Sequence, residues 1–311
     1  MSSGKQSRKL ENKKSAAGNI GRDRKKVGRA GRRKAPSGYG GVRPKKGLGQ
    51  NFLIDEGVID AIAGGCGADA GALVIEIGPG TGALTLPLTE RAGFLAAVEL
   101  DDSLIEPLRV KTFGAGNVKI IHEDILKLDI DSLISELKDE YKLESVRVVG
   151  NLPYYITTPI IMKLLEEAEG IDSITVMMQK EVADRISAEP GERLAGAITY
   201  SVHYYAEVSK VVDVPRECFY PVPNVDSEVL RLDIRKEPAV RTEDADFMFK
   251  CIKTGFSQRR KTLLNSLSAM EGTNKEKVAK ALFASGIEEN RRAETLSLAE
   301  FAKLADILRE E

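Results

Sequence analysis

The apolar run Val74-Ile75-Glu76-Ile77 stops abruptly at Gly78-Pro79-Gly80-Thr81-Gly82. A β-branched stretch of this length reads as a buried strand, and the glycines that follow let the backbone approach a ligand with no Cβ in the way. The junction is one beat of an α/β rhythm. Candidate strands occupy residues 73–77, 94–99, 118–121, 146–149 and 174–178, with helical or loop segments between them. Such alternation predicts a mostly parallel sheet covered on both faces. Two later apolar stretches, 206–212 and 228–234, are placed to close that sheet with an antiparallel edge. A helix is expected over 57–63. From Thr242 onward the spacing turns helical, at 247–254, 261–268, 275–284 and 298–308, with Gly272 and Gly286 as breaks. A small all-helical domain is therefore expected after a linker near 236–241. No internal repeat is visible.

Composition narrows the function classes. Across 311 residues, 42% are apolar and 30% charged, the balance of a water-exposed globular fold, and no apolar run reaches the roughly 18–20 residues of a membrane span. The polar, basic first residues show no secretory signal. Three scattered cysteines, Cys66, Cys218 and Cys251, without a C-x-x-C pair, fit a reducing cytoplasm better than a disulfide framework. With His122 and His203 as the only histidines, no metal site is expected. The net charge of −1 hides an asymmetry. Residues 1–46 hold sixteen Lys and Arg against Glu11 and Asp23, a balance of +14, so the remainder carries −15. Residues 1–44 read as a disordered basic tail of the kind that neutralises nucleic-acid phosphates.

The glycine turn alone is weak, since dinucleotide enzymes, methyltransferases and plain turns share it. The next strand ends in Val98-Glu99-Leu100-Asp101, where an acid can accept from ribose hydroxyls. A dinucleotide fold uses its turn to hold a pyrophosphate. A methyltransferase instead wants acids around a sulfonium, a ribose and an adenine, and Glu76, Glu99 and Glu123-Asp124 suit that better. Asp124 can accept from an adenine amino group or cap a helix, and both readings stand. At the end of the strand 146–149 comes Asn151-Leu152-Pro153-Tyr154-Tyr155. The Asn151 amide and the Leu152 carbonyl offer paired acceptors, Pro153 stiffens their geometry, and Tyr154 offers a stacking face. Taken together, they suit a flat ring carrying an amino group.

On these motifs the chain resembles the ribosomal RNA adenine N(6),N(6)-dimethyltransferases, and within them the small-subunit enzymes. The likeness runs from about Lys45 to Leu308. It includes Leu48-Gly49-Gln50-Asn51-Phe52-Leu53, Met178-Gln179-Lys180-Glu181, the block Phe219-Tyr220-Pro221-Val222-Pro223-Asn224-Val225-Asp226-Ser227, and Phe256-Ser257-Gln258-Arg259-Arg260-Lys261. It implies a Rossmann-like class I methyltransferase domain over 45–238, a helical RNA-binding domain over 242–311, and S-adenosylmethionine as donor. Asn51, Leu53, Gly78, Glu99, Asp124 and Asn151 fall at cofactor positions. Asn151, Leu152, Pro153 and Tyr154 fall where the target adenine is held, and Phe219 where a second aromatic meets the flipped base. Ala195-Gly196 departs from an expected Tyr-Gly pair. The implied partner is small-subunit rRNA within a pre-ribosomal particle, with two adjacent adenosines near its 3′ end dimethylated by a monomeric enzyme. The competing readings are a large-subunit dimethyltransferase of the macrolide-resistance type, a non-catalytic assembly factor on the same fold, and an NAD oxidoreductase.

Overall fold

The computed structural model describes residues 44–311 except 46, 48 and 259, so the basic tail up to residue 43 and Arg259 lie outside the described residues. In chain order the elements are β1 (Phe52–Leu53), α1 (Glu56–Gly65), β2 (Ala72–Ile77), α2 (Thr85–Thr89), β3 (Phe94–Glu99), α3 (Asp102–Lys111), β4 (Val118–His122), α4 (Ile130–Tyr141), β5 (Ser145–Asn151), α5 (Thr157–Glu166), β6 (Ser173–Gln179), α6 (Lys180–Ser187), α7 (Ala197–Tyr205), β7 (Ala206–Val214), β8 (Phe219–Tyr220), β9 (Ser227–Ile234), α8 (Ala245–Ser257), α9 (Leu263–Leu267), α10 (Lys275–Ser285) and α11 (Leu298–Glu310).

Seven strands form one sheet in the order β4-β3-β2-β5-β6-β9-β7. Strands β2 to β6 run parallel, and β9 and β7 close the edge antiparallel, as the apolar pattern predicted. The order turns at β2, which has β3 on one side and β5 on the other. At such a switch point the chains leaving the strand ends diverge and open a crevice, which places the Gly78 turn and Asn151 side by side. Side chains alternate across the sheet: Leu73, Ile75, Val146 and Val148 enter one apolar core, while Val74, Leu95 and Val149 enter another with α1 and α2. Helix starts follow local chemistry, with Asp55, Asp101, Asp129, Asp244 and Asn274 each accepting from a first-turn N–H.

The C-terminal helices build a third core around Leu263, Leu267, Leu282 and Phe301. Helix α7 belongs to two cores at once: Val202 faces the sheet, while Tyr200 and Tyr204 face α8 to α11. The Tyr200 hydroxyl lies 2.5 Å from the Leu296 carbonyl and 3.2 Å from that of Ala293, and accepts from the Gly191 N–H at 3.1 Å. Its ring meets Phe301 edge-on at 5.2 Å.

The stretch predicted as a linker falls between β9 and α8, and the Arg235 and Ala239 N–H groups donate to the carbonyls of Tyr205 and Tyr204. Two local features differ from expectation. Helix α9 begins only at Leu263, because Thr262 is extended at its N-cap. Strands β1 and β8 pair antiparallel, Phe52 opposite Tyr220 and Leu53 opposite Phe219, in a separate ribbon. Two-residue strands carry no periodicity to read.

Tyr200→Phe keeps the ring and removes the hydroxyl that joins α7 to the segment before α11. Stability should fall by about 1–3 kcal/mol in urea unfolding, because two buried carbonyls and one N–H lose a partner. A change below about 0.5 kcal/mol would show that the tie is weak.

Candidate active site

The site is built where β2, β3, β4 and β5 end. After Ile77 the chain takes left-handed conformations at Gly78 (φ 67°) and Gly80 (φ 59°), which disfavour any residue with a Cβ. A Cβ at Gly80 would also meet the Phe52 ring at 3.4 Å. The turn is held from β3. One oxygen of Glu99 accepts from the Gly80 N–H at 3.0 Å, and the other from the Asp101 N–H at 2.8 Å. Burial pushes the Glu99 carboxyl up, and these backbone donors pull it back.

Asp101 is the next link. It caps α3 through the Ser103 N–H and hydroxyl and also receives Lys45 Nζ at 2.5 Å and Gln50 Nε2 at 2.8 Å. Burial alone would raise its carboxyl, but hydrogen bonds from Lys45, Ser103 and Gln50 outweigh that and bring it down to about 2. Residues 49–53 are thereby strapped along the mouth of a cleft. Gly49 (φ 61°) lets the strap pass against the ring of Tyr155, where a Cβ would lie 3.4 Å from the nearest ring carbons.

From β5 comes the polar end. The Asn151 side chain donates its amide N–H to the Asn51 carbonyl at 3.3 Å, and this leaves Oδ1 without a partner among the described residues. The Leu152 side chain is buried, and its carbonyl likewise accepts nothing from the described residues. The Pro153 carbonyl is used locally, accepting from the Ile156 N–H and the Thr157 hydroxyl. The half-buried Tyr154 ring is anchored by its hydroxyl, 2.7 Å from Ser227 Oγ at the start of β9. Burial raises the Tyr154 phenol above its ordinary range, and the Ser227 bond opposes that.

Asn51, Leu53, Gly78, Glu99, Asp124, Asn151, Leu152, Pro153 and Tyr154 all line this one cleft, of about 1060 Å³ counting its open mouth. Phe219 does not. It is 1% exposed, paired with Leu53 and packed in the core beneath the β1–β8 ribbon. Asp124 lines the cleft, and one of its oxygens caps a turn, not a helix, through the Leu126 N–H at 3.0 Å. Four carboxylates (Glu76, Glu99, Glu123 and Asp124) and no Lys, Arg or His appear among the described lining residues. No cluster that could hold a metal occurs among the described residues. Two working residues escaped assignment from sequence: Ser227, whose role as the Tyr154 anchor leaves no local pattern, and Asp101, whose cap on α3 and grip on Lys45 and Gln50 appear only in the fold.

Residues 41–310 match the family described as ribosomal RNA adenine dimethylase. The chain belongs to that family. A Bacillus licheniformis protein named ribosomal RNA small subunit methyltransferase A is 48% identical over 269 residues, covering 86% of this chain and 91% of its own. Among solved structures, a dimethyladenosine transferase from Plasmodium falciparum superposes with a TM-score of 0.68 at 24% identity, over 81% of this chain and 95% of its own. The 23S rRNA methyltransferase ErmE gives 0.63 at 27%, over 83% and 100%. This dimethylase is a methyltransferase by membership, and the oxidoreductase reading of its glycine turn falls away.

Asp101→Ala releases both strap contacts. Backbone amides of residues 49–53 should exchange about 5- to 100-fold faster in hydrogen–deuterium exchange, the equivalent of roughly 1–3 kcal/mol, with Lys45 contributing little because it is half exposed. Unchanged exchange would mean that the β1–β8 pairing and the Asn151 contact to Asn51 hold the strap without Asp101.

Proposed function

We propose that this dimethylase transfers two methyl groups in succession from S-adenosylmethionine to the 6-amino nitrogen of each of two adjacent adenosines near the 3′ end of small-subunit rRNA, within a maturing small subunit. The observation that carries the reading is the pair of unpartnered acceptors, Asn151 Oδ1 and the Leu152 carbonyl, beside an anchored Tyr154 ring at the edge of an acid-lined cleft. A lining whose charged residues are all acids repels a pyrophosphate and suits a cationic nucleoside. Glycines at 78 and 80 admit it closely, and Glu99 and Asp124 retain acceptor capacity for its ribose and adenine. When bound, S-adenosylmethionine supplies a methyl group made electrophilic by its sulfonium.

The lone pair of the adenine amino nitrogen is delocalised into the ring, so that nitrogen is a poor nucleophile. Two carbonyl dipoles accepting its N–H bonds favour a pyramidal nitrogen and stabilise the positive charge that builds there. The nitrogen takes the methyl group, the carbon–sulfur bond breaks with its pair left on sulfur, and the nitrogen sheds a proton to solvent. Tyr154 offsets the cost of unstacking the base with roughly 1–3 kcal/mol of stacking. The exposed Tyr155 (59%) lines this end of the cleft, and the exposed Arg260 and Lys261 after α8 supply charge for phosphate contacts. The 48% identity to a small-subunit enzyme against 27% to the 23S enzyme supports the small-subunit substrate over the large.

Small subunits lacking adenine dimethylation, incubated with labelled S-adenosylmethionine, should yield dimethyladenosine at two adjacent positions by mass spectrometry. Modification of large-subunit RNA instead would reassign the substrate. Asn151→Ala should lower turnover by about 10²- to 10³-fold, while donor binding changes far less. Near-normal turnover in that variant with undiminished donor binding would refute the acceptor mechanism.

A further inference from the structure

The anchor of the Tyr154 ring is itself held by a network to which the transfer mechanism gives no task. Ser227, fully buried, is the first residue of β9 and lies opposite Gln179, the last of β6. Lys180, next in the chain, brackets it. The Lys180 N–H donates to the Asp226 carbonyl at 3.1 Å and Lys180 Nζ to Glu228 Oε2 at 2.9 Å, one residue before Ser227 and one after. Neighbouring side chains on a strand point to opposite faces, as Val229 and Leu230 do by entering different cores, so Glu228 is gripped on the face away from Tyr154.

Glu228 is 4% exposed, and a carboxylate so enclosed needs a cation. Two reach it: Lys180, and Lys210 of β7 at 3.2 Å. Their work differs. Lys210 joins two strands already paired in the sheet, although their ladder is irregular between Lys210 and Val212. Lys180 ties the start of β9 to the first turn of α6. Without Lys180 the carboxylate is drawn toward β7 alone, and the Ser227 hydroxyl that fixes the ring moves with it.

The chemistry at the nitrogen says when this matters. In the first transfer the adenine amino group has two N–H bonds for the Asn151 and Leu152 carbonyls. In the second, a methyl group has replaced one hydrogen, so one acceptor contact is gone while the stacking face is unchanged. Ring orientation therefore carries more of the alignment in the second transfer than in the first, and a misplacement of about 1 Å can cost on the order of 10²-fold in rate.

We propose that Lys180 is a positioning residue for the second methyl transfer, acting through Glu228 and Ser227 on the Tyr154 ring. The inference rests on the acceptor reading of Asn151 and Leu152. In that step the monomethylated nitrogen takes the second methyl group, the carbon–sulfur bond breaks with its pair left on sulfur, and the nitrogen sheds its remaining proton to solvent. Lys180 exchanges no proton and touches no reacting atom. Its loss stalls the product at monomethyladenosine.

The test uses small subunits lacking adenine dimethylation, the full chain and saturating S-adenosylmethionine, with nucleosides quantified by mass spectrometry at matched total methyl incorporation. Lys180→Met should raise the ratio of monomethyl- to dimethyladenosine by about tenfold over wild type. Tyr154→Phe, which keeps the ring and cuts the tether, should raise it as well, and adding Lys180→Met to that variant should change it no further. A wild-type ratio in Lys180→Met, or effects that multiply in the double variant, would overturn the proposal. General loss of folded enzyme slows both transfers together and leaves the ratio at the wild-type value. If Lys180→Met does not fold, Glu228→Gln, which keeps the side chain's size and removes its charge, takes its place with the same outcomes. Absence of methylation by wild type is a separate result, which overturns the adenosine acceptor itself and this role with it.

Discussion

The bridge made by Glu99 is the constraint on which the cleft depends. Its two oxygens join the glycine turn to the end of β3 through the Gly80 and Asp101 N–H groups. Asp101, oriented at its own N–H, collects Lys45 and Gln50 from a segment some fifty residues earlier in the chain. A sheet edge thus dictates a loop, the loop dictates a helix cap, and the cap dictates where the strap lies. Each link is a short, partly buried hydrogen bond to a charged acceptor, stronger than a neutral one.

The second organising fact is the division of labour between acids and carbonyls. Glycines and carboxylates come from β2, β3 and β4, while neutral acceptors and an aromatic come from β5. Because the strand order turns at β2, these two regions lie side by side, and in the proposed reaction the first takes the positive charge of the donor and the second the neutral ring with its N–H groups. Group transfer needs that arrangement, with donor and acceptor held by different chemistry on opposite sides of one gap.

Much of this was legible in the residues. Strong periodicity located the sheet strands and the C-terminal helices, and strand-end motifs located Gly78, Glu99, Asp124 and Asn151. Contacts between segments distant in sequence were not legible. Phe219 shows the limit: a motif marks it, but only the pairing of β8 with β1 reveals a ring sunk in the core, 1% exposed. Ser227 shows the converse, an ordinary residue given a task by where β9 begins. Helix α7 escaped because it buries side chains on two sides, Val202 toward one core and Tyr200 toward another, and so lacks a single apolar stripe.

The strap also sets a boundary for anyone shortening the chain. Removing the basic segment up to residue 43 leaves every contact described for the cleft in place. Trimming only seven residues further would take away Lys45, Gly49 and Gln50, and with them two of the donors to Asp101 and part of the cleft lining. The line between an appendage and a wall of the binding site falls within a single turn of chain, and a fragment cut on its wrong side would fold its sheet yet leave its cleft open on one side.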